Sequence, residues 1–113
     1  MKIKSEKRPW GGFEQFTKNE KSSVKILVIN PKQQFSLQKH KQRKEFWKIL
    51  EGNCKITIGK NTVNARVGDE FEIPKNTIHR CRALGKKVKI LEIGIGSFDE
   101  KDIVRLKDEY GRT

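Results

Sequence analysis

Turn signals recur about every ten residues along this chain and divide it into short apolar runs. Apolar and polar residues alternate cleanly in runs such as Cys54–Ile58 and 70–73. No segment keeps the 3.6-residue period of an amphipathic helix over a helix-length window. About nine short strands separated by turns are typical of a β-sandwich or β-barrel. The pattern therefore predicts an all-β fold.

A chain of 113 residues can bury one hydrophobic core but not two, so we predict a single domain. We expect an N-terminal arm over residues 1–22, a barrel over 23–96 and a C-terminal tail over 97–113 packed on the barrel.

The first thirty residues contain two apolar features, an aromatic pair and a mostly apolar run. Trp10 and Phe13 are expected to anchor the arm on the barrel, because they are the large apolar residues of a Pro- and Gly-rich stretch. The run 24–29 is apolar on nearly both faces, which predicts a central strand.

The charge balance is strongly basic, with 26 Lys and Arg against 14 Asp and Glu and a formal net charge of +12. Such a balance fits nucleic acid, an anionic membrane surface or an anionic small substrate. The lysines are scattered and the aromatic residues do not interleave with a basic stripe. We therefore expect no specific nucleic-acid partner, and a surface rich in lysine is the simplest explanation.

Localisation follows from what the sequence lacks. No opening apolar run resembles a signal peptide, and no apolar segment approaches the ~20 residues of a membrane span. Cys54 and Cys81 have no Cys-x-x-Cys spacing and are expected to be reduced thiols in the core. These observations predict a cytoplasmic protein without a membrane partner.

The chain has only two histidines, His40 and His79. Residues two apart in a strand share a face, so Gln38 projects together with His40. Glu45 shares a face with Trp47, and His79 shares one with small apolar residues. An inward carboxylate is very unfavourable unless it is paired or bound to metal.

We therefore predict a metal site, although a vestigial site stays open because a histidine beside apolar neighbours is often a hydrogen-bonded core residue. The candidate ligands are Gln38, His40, Glu45 and His79. This mixed nitrogen and oxygen set suits zinc, manganese, iron or cobalt, and the residue types do not choose among these divalent ions.

Several short motifs follow one another in a distinctive order. They are RPWG at 8–11, FSLQKH at 35–40, EFW at 45–47, EG at 51–52, IP at 73–74, TIHR at 77–80, DIVRL at 102–106 and YGR at 110–112. Together they resemble the type II mannose-6-phosphate isomerase domain of the cupin superfamily, over nearly the whole chain. The resemblance implies a cupin-type jelly-roll barrel, also called a double-stranded β-helix.

The resemblance also implies an activity, the metal-dependent interconversion of mannose 6-phosphate and fructose 6-phosphate. Glu45, Arg105 and Arg112 are the candidate catalytic residues. Arg43, Arg105 and Arg112 are the candidates for the substrate phosphate, because an arginine fork matches phosphate oxygens.

Larger family members carry a preceding GDP-mannose pyrophosphorylase domain, and the resemblance implies no guanylyltransferase activity for this chain. Cupin domains often form dimers, so we expect a homodimer with residues 8–13 as an exchange element.

The chain departs from the family pattern close to the candidate ligands. Lys41 and Gln42 stand where histidines usually continue the motif, and Phe46 stands where histidine is common. These differences leave open an alternative function, a non-catalytic cupin module that binds a metal or a sugar phosphate.

Overall fold

The computed structural model describes residues 2–107. These residues form eleven strands and no helix, which confirms the predicted all-β fold. The strands are β1 (Lys4–Arg8), β2 (Gly11–Gln15), β3 (Ser22–Ile29), β4 (Leu37–Lys39), β5 (Arg43–Glu51), β6 (Cys54–Ile58), β7 (Asn61–Ala65), β8 (Glu70–Ile73), β9 (His79–Ala83), β10 (Val88–Gly96) and β11 (Val104–Lys107). Between residues 2 and 107 there is thus no helix that could serve as a membrane span.

Two antiparallel sheets enclose the core. One contains four strands in the order β3-β10-β5-β8, and the other contains five in the order β11-β4-β9-β6-β7. Trp47, Ile49 and Ile90 from the first sheet pack with Ile56 and Cys81 from the second. The division of the chain into arm, barrel and tail stays a prediction.

Strand parity brings the polar residues of interest to the inside. In β5, Arg43, Glu45, Trp47 and Ile49 alternate along the inward face, so two charged residues precede two apolar core residues. Since parity is a local property of a strand, a buried core residue two positions away predicts the direction of each charged side chain.

The strand predicted to be central, β3, lies instead at an edge of the four-stranded sheet in the described part of the chain. Its outward residues Val24, Ile26 and Val28 are 61%, 56% and 54% exposed. An apolar run does not distinguish a strand buried on both faces from an edge strand with a bare outer face, so the prediction was wrong.

The prediction that Trp10 and Phe13 anchor the arm was also wrong. Strands β1 and β2 form a separate two-stranded hairpin, and Trp10 in its turn is 74% exposed. Phe16 makes the contact instead, with its ring centroid 5.4 Å from that of Phe46. Strands β1 and β2 form backbone hydrogen bonds with each other and not with the two larger sheets. The aromatic contact with β5 is therefore made by Phe16, which directly follows β2.

The turn between β5 and β6 provides a test of this packing. Gly52 has a φ of +80°, and a Cβ there would lie 2.3 Å from the backbone oxygen of Lys87. We expect Gly52→Ala to lower the free energy of unfolding by clearly more than the ~1–2 kcal/mol of a left-handed backbone alone, because a backbone oxygen must also move.

Gly59→Ala is the matched control. Gly59 has a φ of +60°, and the nearest atom to a Cβ would be Cγ2 of Thr77 at 3.9 Å. Urea unfolding of both variants measures the difference, and equal losses of stability would contradict the proposed clash.

Candidate metal centre

Three buried side chains from different parts of the fold meet between the sheets. His40 directly follows β4, Glu45 lies in β5 and His79 begins β9. One potential ligand atom from each lies within 4.8 Å of the others. Nε2 of His79 is 3.3 Å from Oε1 of Glu45, and Nε2 of His40 is 3.7 Å from Oε2 of the same carboxyl group.

Backbone carbonyl groups orient both imidazole rings. Nδ1 of His40 lies 2.7 Å from the carbonyl oxygen of Asp102, and Nδ1 of His79 lies 3.0 Å from that of Thr77. A carbonyl oxygen only accepts, so each Nδ1 carries the hydrogen and donates it. In the neutral rings, both Nε2 lone pairs therefore face Glu45, as in ligating histidines held by a carbonyl partner.

The atoms around Glu45 fit a metal ion. Oε1 of Glu45 and Nε2 of His79 are buried, and neither forms a hydrogen bond with any residue of the described chain. In this tautomer two acceptors face each other with no hydrogen between them, which is unfavourable unless a cation binds both. Two imidazole nitrogens and a carboxylate oxygen are a common ligand set for transition metals.

Protonation of the site also favours a cation. Burial lowers the pKa of His40 and outweighs the opposing effects of the Asp102 carbonyl and the Glu45 charge, so the neutral ligating ring is favoured. Burial raises the pKa of Glu45, but the interactions with His79, His40 and Arg43 outweigh it and hold this pKa below its usual value. The Glu45 carboxylate is thus ionised beside the neutral imidazole of His40.

Arg43 provides positive charge at the same place. It is buried, and its Nε donates to Oε2 of Glu45 at 3.2 Å while its Nη2 donates to Nε2 of His40 at 3.2 Å. The guanidinium also lies 4.5 Å from the ring centroid of Phe98. A metal ion on Nε2 of His40 would have to replace the hydrogen bond from Nη2 of Arg43, because the ion and this hydrogen bond use the same lone pair.

The remaining predicted site residues are Gln38, Arg105 and Arg112. Gln38 lies opposite His79 in the sheet, and its Oε1 accepts a hydrogen bond of 3.3 Å from Oγ of Ser36. Arg105 lies opposite Gln38 on β11, and its buried Nε has no partner within residues 2–107. Arg112 lies outside the described residues. The roles predicted for these residues and for Arg43 stay predictions.

A cavity of about 830 Å³ opens beside this cluster. Its lining includes His40, Arg43, Glu45, Arg105, Lys25 and Glu92. Sequence reasoning did not single out the last two residues. Glu92 could have been found from the sequence, because it is the one carboxylate in the mostly apolar run of β10.

Comparisons with known proteins identify the family of this chain. The sequence model of the family described as "Mannose-6-phosphate isomerase C-terminal" matches residues 2–108. The xanthan biosynthesis protein XanB of Xanthomonas campestris pv. campestris is 33% identical over 108 residues, which are 94% of this chain and 23% of that protein. The alginate biosynthesis protein AlgA of Pseudomonas putida is 34% identical over 108 residues, 94% of this chain and 22% of that protein. The chain spans less than a quarter of the length of these relatives.

Solved structures support the fold. A protein with a double-stranded beta-helix domain from Klebsiella pneumoniae has a TM-score of 0.68 at 14% identity, covering 82% of this chain and 80% of that one. The predicted cupin-type jelly roll is therefore confirmed. Because the family match covers nearly the whole chain, this protein belongs to the mannose-6-phosphate isomerase C-terminal domain family.

Proposed function

We propose that this domain is a divalent-metal-dependent aldose–ketose isomerase that interconverts mannose 6-phosphate and fructose 6-phosphate. The observation that carries the proposal is the buried pair of facing acceptors, Oε1 of Glu45 and Nε2 of His79, 3.3 Å apart. Family membership supports the reaction, and relatives named for xanthan and alginate biosynthesis fit a role in polysaccharide biosynthesis. A cytoplasmic location stays a prediction.

The metal would be held by His40, Glu45 and His79, with the amide oxygen of Gln38 as a fourth ligand. Zinc, manganese, iron and cobalt all accept this donor set. When bound, the ion supplies Lewis-acid stabilisation of the negative charge that develops on the substrate oxygens. Glu45 serves as a ligand in this arrangement, so its catalytic role is to hold the ion and not to move a proton.

The substrate phosphate would bind at the arginines of the cavity. Arg105 is the first choice, since its buried Nε lacks an acceptor in the described chain and a phosphate oxygen would supply one. Arg43 is the second choice, because its buried Nη1 also lacks a partner there. Arg112 is a further candidate from the family motif.

Metal content tests the ligand assignment. We expect the His40→Ala/His79→Ala double variant and Glu45→Gln to lose the metal that the wild-type protein retains after dialysis, as measured by elemental analysis. Ligand saturation at a hundred times Kd stabilises a fold by about 2.7 kcal/mol, so chelator should lower the melting temperature of wild type and of the control but not that of the ligand variants. Glu51→Gln, which changes an exposed carboxylate, is the control. Unchanged metal content in the double variant would refute the site.

Turnover tests the reaction. Protein loaded in turn with zinc, manganese, cobalt and iron should convert mannose 6-phosphate to fructose 6-phosphate in at least one case. Arg105→Ala should raise KM about 10- to 100-fold, because a hydrogen bond to a charged group contributes about 1.5–3 kcal/mol. Lys55→Ala, which removes an exposed positive charge on β6, should leave KM unchanged. Absence of turnover with every metal would exclude the isomerase.

A second candidate is a module that binds a metal or a sugar phosphate without turnover. The contacts of Arg43 favour it, because this guanidinium donates to Oε2 of Glu45 and to Nε2 of His40, the nitrogen that a metal would use. Binding of mannose 6-phosphate to metal-loaded protein, measured by calorimetry with no accompanying product, would select this alternative.

We also propose that a second copy of the chain covers the exposed outer face of β3. An exposed apolar edge strand tends to pair with another chain, and the same apolar patch on two copies can pack together about a two-fold axis. Sedimentation should show a dimer for wild type and a monomer for Ile26→Lys. Val63→Lys, on the exposed part of β7, is the control and should stay dimeric. A wild-type monomer would contradict the proposal.

A further inference from the structure

A second buried carboxyl group, that of Glu92, faces the same cavity as the metal centre. Glu92 is 6% exposed and lies on the inward face of β10, directly opposite Trp47 of β5 and Lys25 of β3. Nε1 of Trp47 donates a hydrogen bond of 3.2 Å to its Oε2. Nζ of Lys25 lies 3.7 Å from its Oε1.

Packing alone does not account for a carboxyl group at this position. An amide would accept the same hydrogen bond from Trp47 without placing an ionisable group in the interior, where its charged form is costly. The Lys25 side chain is 44% exposed, and a pair of this kind contributes little to stability. The acid function of Glu92 therefore points to chemistry in the cavity.

The environment of Glu92 suits reversible proton transfer. Burial and the charge of Glu45 raise the pKa of Glu92 to about 7, while Lys25, Trp47 and Arg43 lower it less strongly. A buried carboxyl group that titrates near neutrality can take up a proton and release it again, which is what general acid–base catalysis requires.

We propose that Glu92 is the catalytic residue that carries the proton between C2 and C1 of the sugar phosphate, an inference that rests on the proposed isomerase function. The carboxylate takes the proton from C2 of mannose 6-phosphate. The electron pair of the C2–H bond forms the C1–C2 double bond, and the C1 carbonyl oxygen takes up the negative charge.

The second half of the reaction restores Glu92. The hydroxyl proton on O2 passes to O1, the C2 carbonyl forms, and C1 receives the proton from the Glu92 carboxyl group. The product is fructose 6-phosphate, and no oxidant or further reactant is needed.

Glu92→Gln tests this role, because the amide keeps the volume and the acceptor for Trp47 but cannot take a proton. We expect kcat to fall about 10²- to 10⁴-fold with KM and metal content unchanged. Glu92→Asp, which keeps the acid but shortens its reach, should recover part of the loss. Glu100→Gln, an exposed carboxylate on the rim of the same cavity, should match wild type.

Deuterium exchange gives a second readout that a structural role would not affect. In D₂O, wild type should incorporate deuterium at C1 of fructose 6-phosphate, as seen by NMR, and Glu92→Gln should lose this exchange. Wild-type turnover with an equally active Glu92→Gln variant, or a Glu92→Gln variant that incorporates deuterium as fast as wild type, would overturn the role of Glu92 alone. An inactive wild type would overturn the proposed function together with it.

Discussion

The buried charge of Glu45 is the constraint on which the arrangement of the site depends. A carboxylate that is 3% exposed requires compensation, and three groups approach it: the imidazoles of His40 and His79 and the guanidinium of Arg43. Only the guanidinium brings a permanent charge, and it reaches Oε2. Oε1 faces Nε2 of His79, and neither atom has a hydrogen-bond partner among the described residues, so compensation by these residues is incomplete. The site is consequently preorganised for a cation.

The segment after β10 completes this site from outside the two sheets. The backbone carbonyl of Asp102 orients His40, while its carboxylate accepts hydrogen bonds from the backbone N–H groups of Lys41 and Gln42 at 2.9 Å and 2.8 Å. Phe98 lies against Arg43 in the same segment. One stretch of chain thus fixes the ring orientation, the loop before β5 and one wall of the cavity.

The cavity combines positive and negative side chains. Lys25, Arg43 and Arg105 line it together with the carboxyl groups of Glu45, Glu92 and Glu100. Such a mixture suits a small anion that must also undergo proton transfer, since the cations attract it and the carboxyl groups can divide the chemical roles. A basic nucleic-acid surface would instead present its charges outward along a stripe.

The sequence alone determined the β class and the inward direction of His40, Glu45 and His79, because two-residue periodicity is local and readable in each strand. Strand order came only with the tertiary structure, since parity does not state which strands are neighbours. For that reason β3 was predicted as central but lies at an edge, and Glu92 was missed although β10 places it between β3 and β5. Periodicity therefore decided which faces are buried, and pairing between distant segments decided which buried side chains meet.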